Sequence, residues 1–235
     1  MAIFNDDCKN ILPTIDTGSV DLVLIDPPYE IRTNGGGSIM RSEKQFKYLT
    51  EKQLQPISSG FDESILAELV RVLKKINLYI WCSKKQIPWL LSYFVTDRGC
   101  NYDLITWHKP NPVPAISNKY LTDTEYCLFF REKGVRVYGT FDTKKTYYIQ
   151  PYERKLKNKY KHPTIKPLNI IKNLITNSTE YGAMVLDCYA GTGTTGVACN
   201  ELGRDFVGIE INPEYYNVME ARLRYENKAK TPPVK

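Results

Sequence analysis

Short runs rich in β-branched and aromatic residues recur along the chain, at residues 20–25, 77–82, 102–107, 126–130, 184–187 and 206–209. Apolar runs of that length, bounded by polar and turn-forming residues, predict buried strands. Between them, apolar positions fall at helical spacing. Ile65, Leu69 and Val72, with Leu66 and Leu73 beside them, mark one amphipathic stretch. Leu168, Ile171, Leu174 and Ile175 mark a second, which begins near Pro167 as a first-turn proline would. A third starts at Asn212-Pro213, with Asn212 as its cap, and runs to about Tyr225. Strand alternating with helix predicts an α/β fold, a doubly wound and mostly parallel sheet covered on both faces.

Two stretches break this rhythm. Residues 32–41 contain three successive glycines, Gly35 to Gly37, just after a strand end, which predicts a long mobile loop over about 31–60. Residues 134–161 are rich in Tyr, Lys and Arg, with weak periodicity. No internal repeat is visible, and 235 residues suit a single domain spanning 1–235 with these two excursions.

Composition narrows the setting. A hydrophobic fraction of 42% supports a packed core, while the basic, Pro-rich tail from Lys228 to Lys235 is expected to fray. Asp6 and Asp7 follow the first residues too closely for a signal peptide, and no apolar run is long enough to span a membrane. The six cysteines are scattered without a C-x-x-C pair. That argues against a metal site or a disulfide framework and for a reducing cytoplasm. The net charge of +6 is uneven: residues 131–161 hold ten Lys/Arg against three Asp/Glu, a local +7, which leaves about −1 for the rest. Such asymmetry suits a polyanionic partner.

Candidate chemistry lies in two motifs. The first is Val185-Leu-Asp187-Cys-Tyr189-Ala190-Gly191-Thr192-Gly193-Thr194-Thr195-Gly196, a strand, a tight glycine turn and a helix start. It satisfies G-x-G-x-x-G, and Glu210 follows 19 residues after Gly191 at the end of the next strand. The glycines admit close approach of a ligand to the backbone, and the acid accepts ribose hydroxyls. A dinucleotide dehydrogenase would have two further strands after such a turn, yet only one remains before the chain ends. The sheet must then be completed by N-terminal strands, in a circularly permuted order.

The second motif is Asp26-Pro27-Pro28-Tyr29, which ends the strand at 20–25. Two prolines without N–H groups form a rigid lip. Asp26 and the Pro27 carbonyl then aim two acceptors at one amine, and Tyr29 offers a flat face for stacking. Methylation of an aromatic amine needs that arrangement, because two acceptors stabilise the positive charge that develops on a delocalised nitrogen. Stacking of an extruded base is worth about 1–3 kcal/mol.

In these two motifs and their order the sequence resembles the beta group of DNA amino-methyltransferases, whose catalytic strip precedes the cofactor turn. The resemblance covers most of the chain. It implies a circularly permuted, Rossmann-like fold of the S-adenosylmethionine-dependent type, with S-adenosylmethionine as cofactor and DNA as partner. Asp26 to Tyr29 match the catalytic strip, and the leading Asp is similar to the adenine-N6 form, Ser being usual in enzymes acting on cytosine N4. Asp187 to Gly196 resemble the segment around the methionine part of the cofactor, with Asp26 beside it; Tyr189 stands where Phe is usual. His162, Thr164 and Lys166, within His162-Pro-Thr-Ile-Lys-Pro167, resemble the motif that meets the cofactor's amino-acid end. Glu210, Ile211 and Asn212 match the ribose-binding segment. Asp7 resembles the acid that meets the cofactor's adenine, although Asp6 precedes it where Gly is common.

The family places target recognition before the cofactor motifs, where the basic, Tyr-rich segment 131–161 lies. Lys144, Lys145, Arg154, Lys155 and Lys157 are its candidate phosphate contacts, joined by Arg32 and Arg41 from the glycine-bearing loop. No metal is expected. A homodimer and a restriction endonuclease partner, or none, are left open. Competing readings are cytosine-N4 or RNA adenine methylation, a dinucleotide oxidoreductase resting on the glycine turn alone, and a non-catalytic DNA-binding protein that leaves Asp26 and Tyr29 unexplained.

Overall fold

A computed structural model describes residues 1–28, 64–112, 120–160, 162 and 164–230. All six expected strands form. β3 (Asn77–Cys82) and β7 (Met184–Asp187) match their apolar runs, and β2 (Leu22–Ile25) starts late because Val20 makes only a bridge to Leu73. β4 (Asn101–His108) and β5 (Thr124–Arg131) extend into polar residues through their mutual antiparallel ladder, and β8 spans Asp205–Ile209. Two strands of three residues, β1 (Ala2–Phe4) and β6 (Tyr147–Ile149), add the outer edges. Both are too short to carry a periodic signal.

The eight strands lie in the order β1-β8-β7-β2-β3-β5-β4-β6. Pairings are parallel except those of β5, which runs against both β3 and β4. The late strands β7 and β8 sit between the early strands β1 and β2, with Phe4 opposite Ile209 and Val23 opposite Leu186. This is the permuted order expected from a glycine turn so near the C-terminus.

The central strands are buried on both sides: β2 and β3 are buried at every position. Val23, Ile25, Leu78, Ile80, Leu128 and Phe130 face one core, covered by α1 (Cys8–Ile11), α2 (Ile65–Val72) and α3 (Ile87–Leu91), which runs on into a π turn at Ser92–Thr96. Their neighbours Leu22, Leu24, Tyr79, Trp81, Cys127 and Phe129 face the other. That second core is closed by α5 (Leu168–Ser178), α6 (Thr194–Leu202) and α7 (Pro213–Lys230), while α4 spans Arg154–Tyr160. The alternation of side chains between two cores is the doubly wound arrangement predicted from the sequence.

Two boundaries differ from expectation. Pro167 is the N-cap of α5 in extended conformation rather than a first-turn residue, and its carbonyl accepts from Ile170 and Ile171. α7 does start after Asn212, whose Oδ1 accepts from Glu214 N–H at 2.8 Å, but it continues past Tyr225 to Lys230. Glu, Lys and Ala are good helix formers, and lysines suit a helix C-terminus. Part of the tail expected to fray is therefore helical, and the loop expected at about 31–60 lies outside the described residues. Among the described residues no helix is long and apolar enough to cross a membrane.

Candidate active site

Parallel strands deliver their C-terminal ends to one edge of a sheet, and ligands bind there. β2 ends in Ile25, so Asp26 stands at this edge with Pro27 buried behind it. Because β5 is antiparallel, its first residues reach the same edge, alongside the last residues of β4. The segment before α5 supplies Lys166, whose side chain is only 6% exposed.

These residues form one line of alternating charge. Lys166 Nζ donates to Asp26 Oδ2 and lies 3.1 Å from Glu125 Oε2; Lys109 Nζ donates to Glu125 Oε1. Burial works against the Lys166 charge, but Asp26 and Glu125 outweigh it and raise its pKa to about 12. Burial likewise opposes the Glu125 charge, and Lys166 and Lys109 together overcome it and hold its carboxyl below the usual range. Each ammonium also lies over an indole, Lys166 at 5.0 Å from the Trp81 ring and Lys109 at 4.8 Å from that of Trp107. Trp81 is fully buried, and among the described residues its Nε1–H has no hydrogen-bond partner.

The glycine turn lies next to Asp26 because β7 pairs with β2. Asp187 ends β7 and accepts from Tyr189 N–H at 3.1 Å and Thr195 Oγ1 at 2.6 Å. Burial nonetheless pushes its carboxyl up to about 7. Gly191 and Gly193 have φ of +53° and +80°, conformations that favour glycine. A Cβ on Gly196 would meet Phe206 Cε1 at 2.7 Å, so the third glycine serves close packing of helix on sheet. Gly191 N–H donates to Glu210 Oε2 at 2.7 Å and Asn212 N–H to Oε1 at 2.8 Å. A carboxylate has about four acceptor positions, so capacity remains for hydroxyls. Burial raises the Glu210 carboxyl, against the pull of these two N–H groups.

Comparison with known proteins gives this edge its family. The family model for N6 and N4 methyltransferases, described as DNA methylase, matches residues 20–221. The chain belongs to the DNA methylase family. The methylase is 31% identical to the Type II methyltransferase M2.DpnII of Streptococcus pneumoniae, over 97% of this chain and 91% of that one. It is 32% identical to M2.LlaDCHI of Lactococcus lactis subsp. cremoris, over 92% and 87%. The crystal structure of the M1.HpyAVI–SAM complex superposes with a TM-score of 0.67 at 26% identity, covering 94% of this chain and 99% of that one. The cytosine-N4-specific PvuII DNA methyltransferase shares the fold, with a TM-score of 0.70 at 16% identity over 94% and 85% of the chains. S-adenosylmethionine is the ligand of the M1.HpyAVI complex, and DNA is the substrate that names the family.

Around the turn, the structure gathers most of the residues singled out in the sequence. His162 packs edge-on against Tyr215 with ring centroids 4.5 Å apart, and its Nδ1 accepts from the N–H of exposed Thr164. A Cβ on Gly191 would lie 3.5 Å from His162 Nε2, so the ring borders the turn. Burial, then Lys166 and Arg222, lower its pKa to about 4 and keep it neutral. Asp7 caps α1 by accepting from Lys9 N–H at 3.0 Å, and it follows β1 at the edge that carries Glu210. Ile211 is 59% exposed beside it.

The basic candidates separate. Lys155 is exposed on α4, which follows β6 at the edge of Asp26. Lys144 and Lys145 lie lower: the Thr143 carbonyl accepts from both Asn173 and Asn177, in the second half of α5. Lys145 also pairs with Asp142 at 2.8 Å. Arg154 and Lys157 have their backbone in α4. Tyr29, Arg32 and Arg41 lie outside the described residues, as do the side chains of Arg154 and Lys157. Among the described residues no group of three or more His, Cys, Asp or Glu is arranged to hold a metal, and all six cysteines are free and buried.

Sequence reasoning missed Glu125, Lys109, Trp81 and Arg222. Arg222 reaches from α7 to the turn and donates to the Thr192 carbonyl at 2.6 Å. Glu125 had one signal, a carboxylate heading the apolar run 126–130. A buried strand tolerates such a charge only with a partner.

Proposed function

We propose that the methylase transfers the methyl group of S-adenosylmethionine to the N6 amine of adenine in DNA. The observation that carries this reading is Asp26 at the end of β2, ion-paired to buried Lys166 and one strand from the glycine turn. Gly191 and Gly193 keep the turn free of side chains, and Glu210 retains acceptor capacity, so the edge fits a nucleoside with an amino-acid tail. Asp187 to Thr195 and Glu210 to Asn212 would hold the cofactor, with Asp7 at its adenine and His162, Thr164 and Lys166 toward its amino-acid end. The cofactor supplies an electrophilic methyl group on a positively charged sulfur.

The protein's own part is to hold and orient the amine. Asp26 accepts one N6 hydrogen and the Pro27 carbonyl the other, which localises the nitrogen lone pair. Asp26 then stands where it stabilises the growing positive charge and takes the proton that the nitrogen sheds. Tyr29 stacks on the flipped base. Asp26 must be ionised until it takes the amine proton, and the Lys166 ammonium hydrogen-bonded to it favours that form. The leading Asp favours adenine over cytosine N4. The Type II relatives favour a place in restriction–modification, and six free cysteines favour a reducing cytoplasm.

The test is transfer of labelled methyl to duplex DNA, with the product digested to nucleosides. N6-methyladenine is expected, and its loss in Asp26→Ala with cofactor binding retained. Label in N4-methylcytosine would overturn the choice of base, and full activity of Asp26→Ala would overturn the site.

A further inference from the structure

We infer that Glu125 is a positioning residue for methyl transfer, acting on Asp26 through Lys166. The inference rests on the reading of Asp26 as the acceptor for the target amine. Lys166 stands between Glu125 and Asp26, and Glu125 Oε2 is buried, so Glu125 acts through the ammonium rather than on the amine itself. Its action is to divide the Lys166 ammonium. One carboxylate on each side shares the positive charge, so neither takes it whole, and Lys109 closes the line on the far side of Glu125.

The division matters because Lys166 faces two demands. It must keep Asp26 ionised, yet a full ion pair would draw electron density from the oxygen that accepts the amine hydrogen and weaken it as an acceptor. Two carboxylates against two ammonium groups make the line neutral as a whole, with Asp26 at the end that borders the glycine turn. Geometry holds it in place from several elements. Lys166 and Lys109 rest over Trp81 and Trp107, and Glu125 is the second residue of β5, opposite Trp107 in the ladder to β4. Side-chain exposures of 6% for Lys166, 14% for Glu125 and 16% for Lys109, against 25% for Asp26, leave water little part in screening the line except at the Asp26 end. Among the described residues, the other titratable groups that face it are Cys82 and Cys127 from the sheet, Asp187 at the end of β7, His162 toward the turn and Tyr152 beside Glu125. At neutral pH the thiols, the phenol and the imidazole are uncharged, so of these groups Asp187 is the one able to alter the field.

Substitution Glu125→Gln keeps the shape and removes the charge. Single-turnover methyl transfer is expected to slow about 10–100-fold, while cofactor affinity by calorimetry and the KM for DNA stay within about threefold. The acid limb of the rate is expected to move to lower pH, because Asp26 then faces the whole Lys166 charge and is harder to protonate. Glu125→Asp is expected to recover part of the rate and the original limb. The double variant Glu125→Gln, Lys109→Met returns the line to neutrality, and it serves if the single variant folds poorly: its limb must also lie below that of the wild type. A purely structural role would lower the melting temperature without moving the limb, and that result overturns the inference. So does an unchanged rate in Glu125→Gln; if Asp26→Ala is then inactive, the reading of the site survives. A wild-type chain that binds cofactor but methylates no adenine removes both.

Discussion

Lys166 donates a hydrogen bond to Asp26 Oδ2, joining residues 140 positions apart in the chain. One comes from the end of an early strand and the other from the segment before α5, so the pair exists only in the finished fold. Replacing Lys166 by Met leaves Asp26 and Glu125 facing each other without the cation between them. Breaking a buried pair in this way costs about 3–5 kcal/mol. Lys166→Met is therefore expected to unfold several degrees lower in a thermal melt and to lose methyl transfer. A melting temperature equal to that of the wild type would show that the pair is not buried in solution as it is here.

Two glycines of positive φ on either side of β7 differ in the room around them. Gly193 has φ +80°, and a Cβ there would stand 2.6 Å from Met219 Cγ and 3.2 Å from Met219 Cα, so both conformation and space oppose a side chain. Gly182 has φ +76° with nothing within 4 Å of a Cβ. Gly182→Ala is expected to cost about 1 kcal/mol through backbone strain and to keep cofactor affinity. Gly193→Ala is expected to cost more, about 2–4 kcal/mol, because helix α7 must shift as well. It should also weaken cofactor binding, measured by calorimetry. Equal losses in the two variants would rule out the Met219 contact as the difference.

Asp187 links stability to pH. Its folded pKa of about 7 lies above the ordinary carboxyl value of 3.8 because burial disfavours the charge. Below about 4 the group is protonated in both states. As pH rises toward 7 the unfolded chain releases its proton first, so the relative stability contributed by Asp187 is lost through that window. Asp187→Asn removes the titration. The melting temperature of the variant minus that of the wild type is expected to rise between pH 4 and 7 and then level off. Taking the difference cancels His162, whose lowered pKa of about 4 acts in the opposite direction between 4 and 6.5. A flat difference would mean that Asp187 is solvated.

Much of the fold was legible because it rests on local patterns. The six apolar runs became strands, and a glycine turn with one strand after it already required the permuted order seen at β1, β8, β7 and β2. The direction of β5 was not legible. Nothing in residues 126–130 distinguishes a parallel strand from an antiparallel one, yet that direction alone brings Glu125 to the edge of Asp26. Motif residues such as Glu210 were found because spacing along the chain sets their geometry. Lys109, Glu125 and Trp81 were not, since each depends on a partner supplied by another element. The strand β6 was hidden in a segment read as charged and irregular. Its three residues are held by pairing with β4 and by the Trp107 Nε1–H on the Gln150 carbonyl at 2.8 Å, not by their own periodicity.

The same segment yields a prediction about DNA. Lys155 is exposed on α4 at the edge that holds Asp26, whereas Lys145 lies lower on the molecule, with its charge paired with Asp142. A lysine that neutralises a phosphate releases a counterion, and each such contact adds about one unit to the slope of log affinity against log salt. Lys155→Ala is thus expected to weaken binding of the methylase to duplex DNA and to reduce the slope by about one. Lys145→Ala is expected to leave affinity and slope near their wild-type values, since the lysine already has a carboxylate within 2.8 Å. Fluorescence anisotropy at a series of salt concentrations measures both. If Lys145→Ala lowers the slope and Lys155→Ala does not, DNA runs along the side of α5 rather than across the edge that holds Asp26.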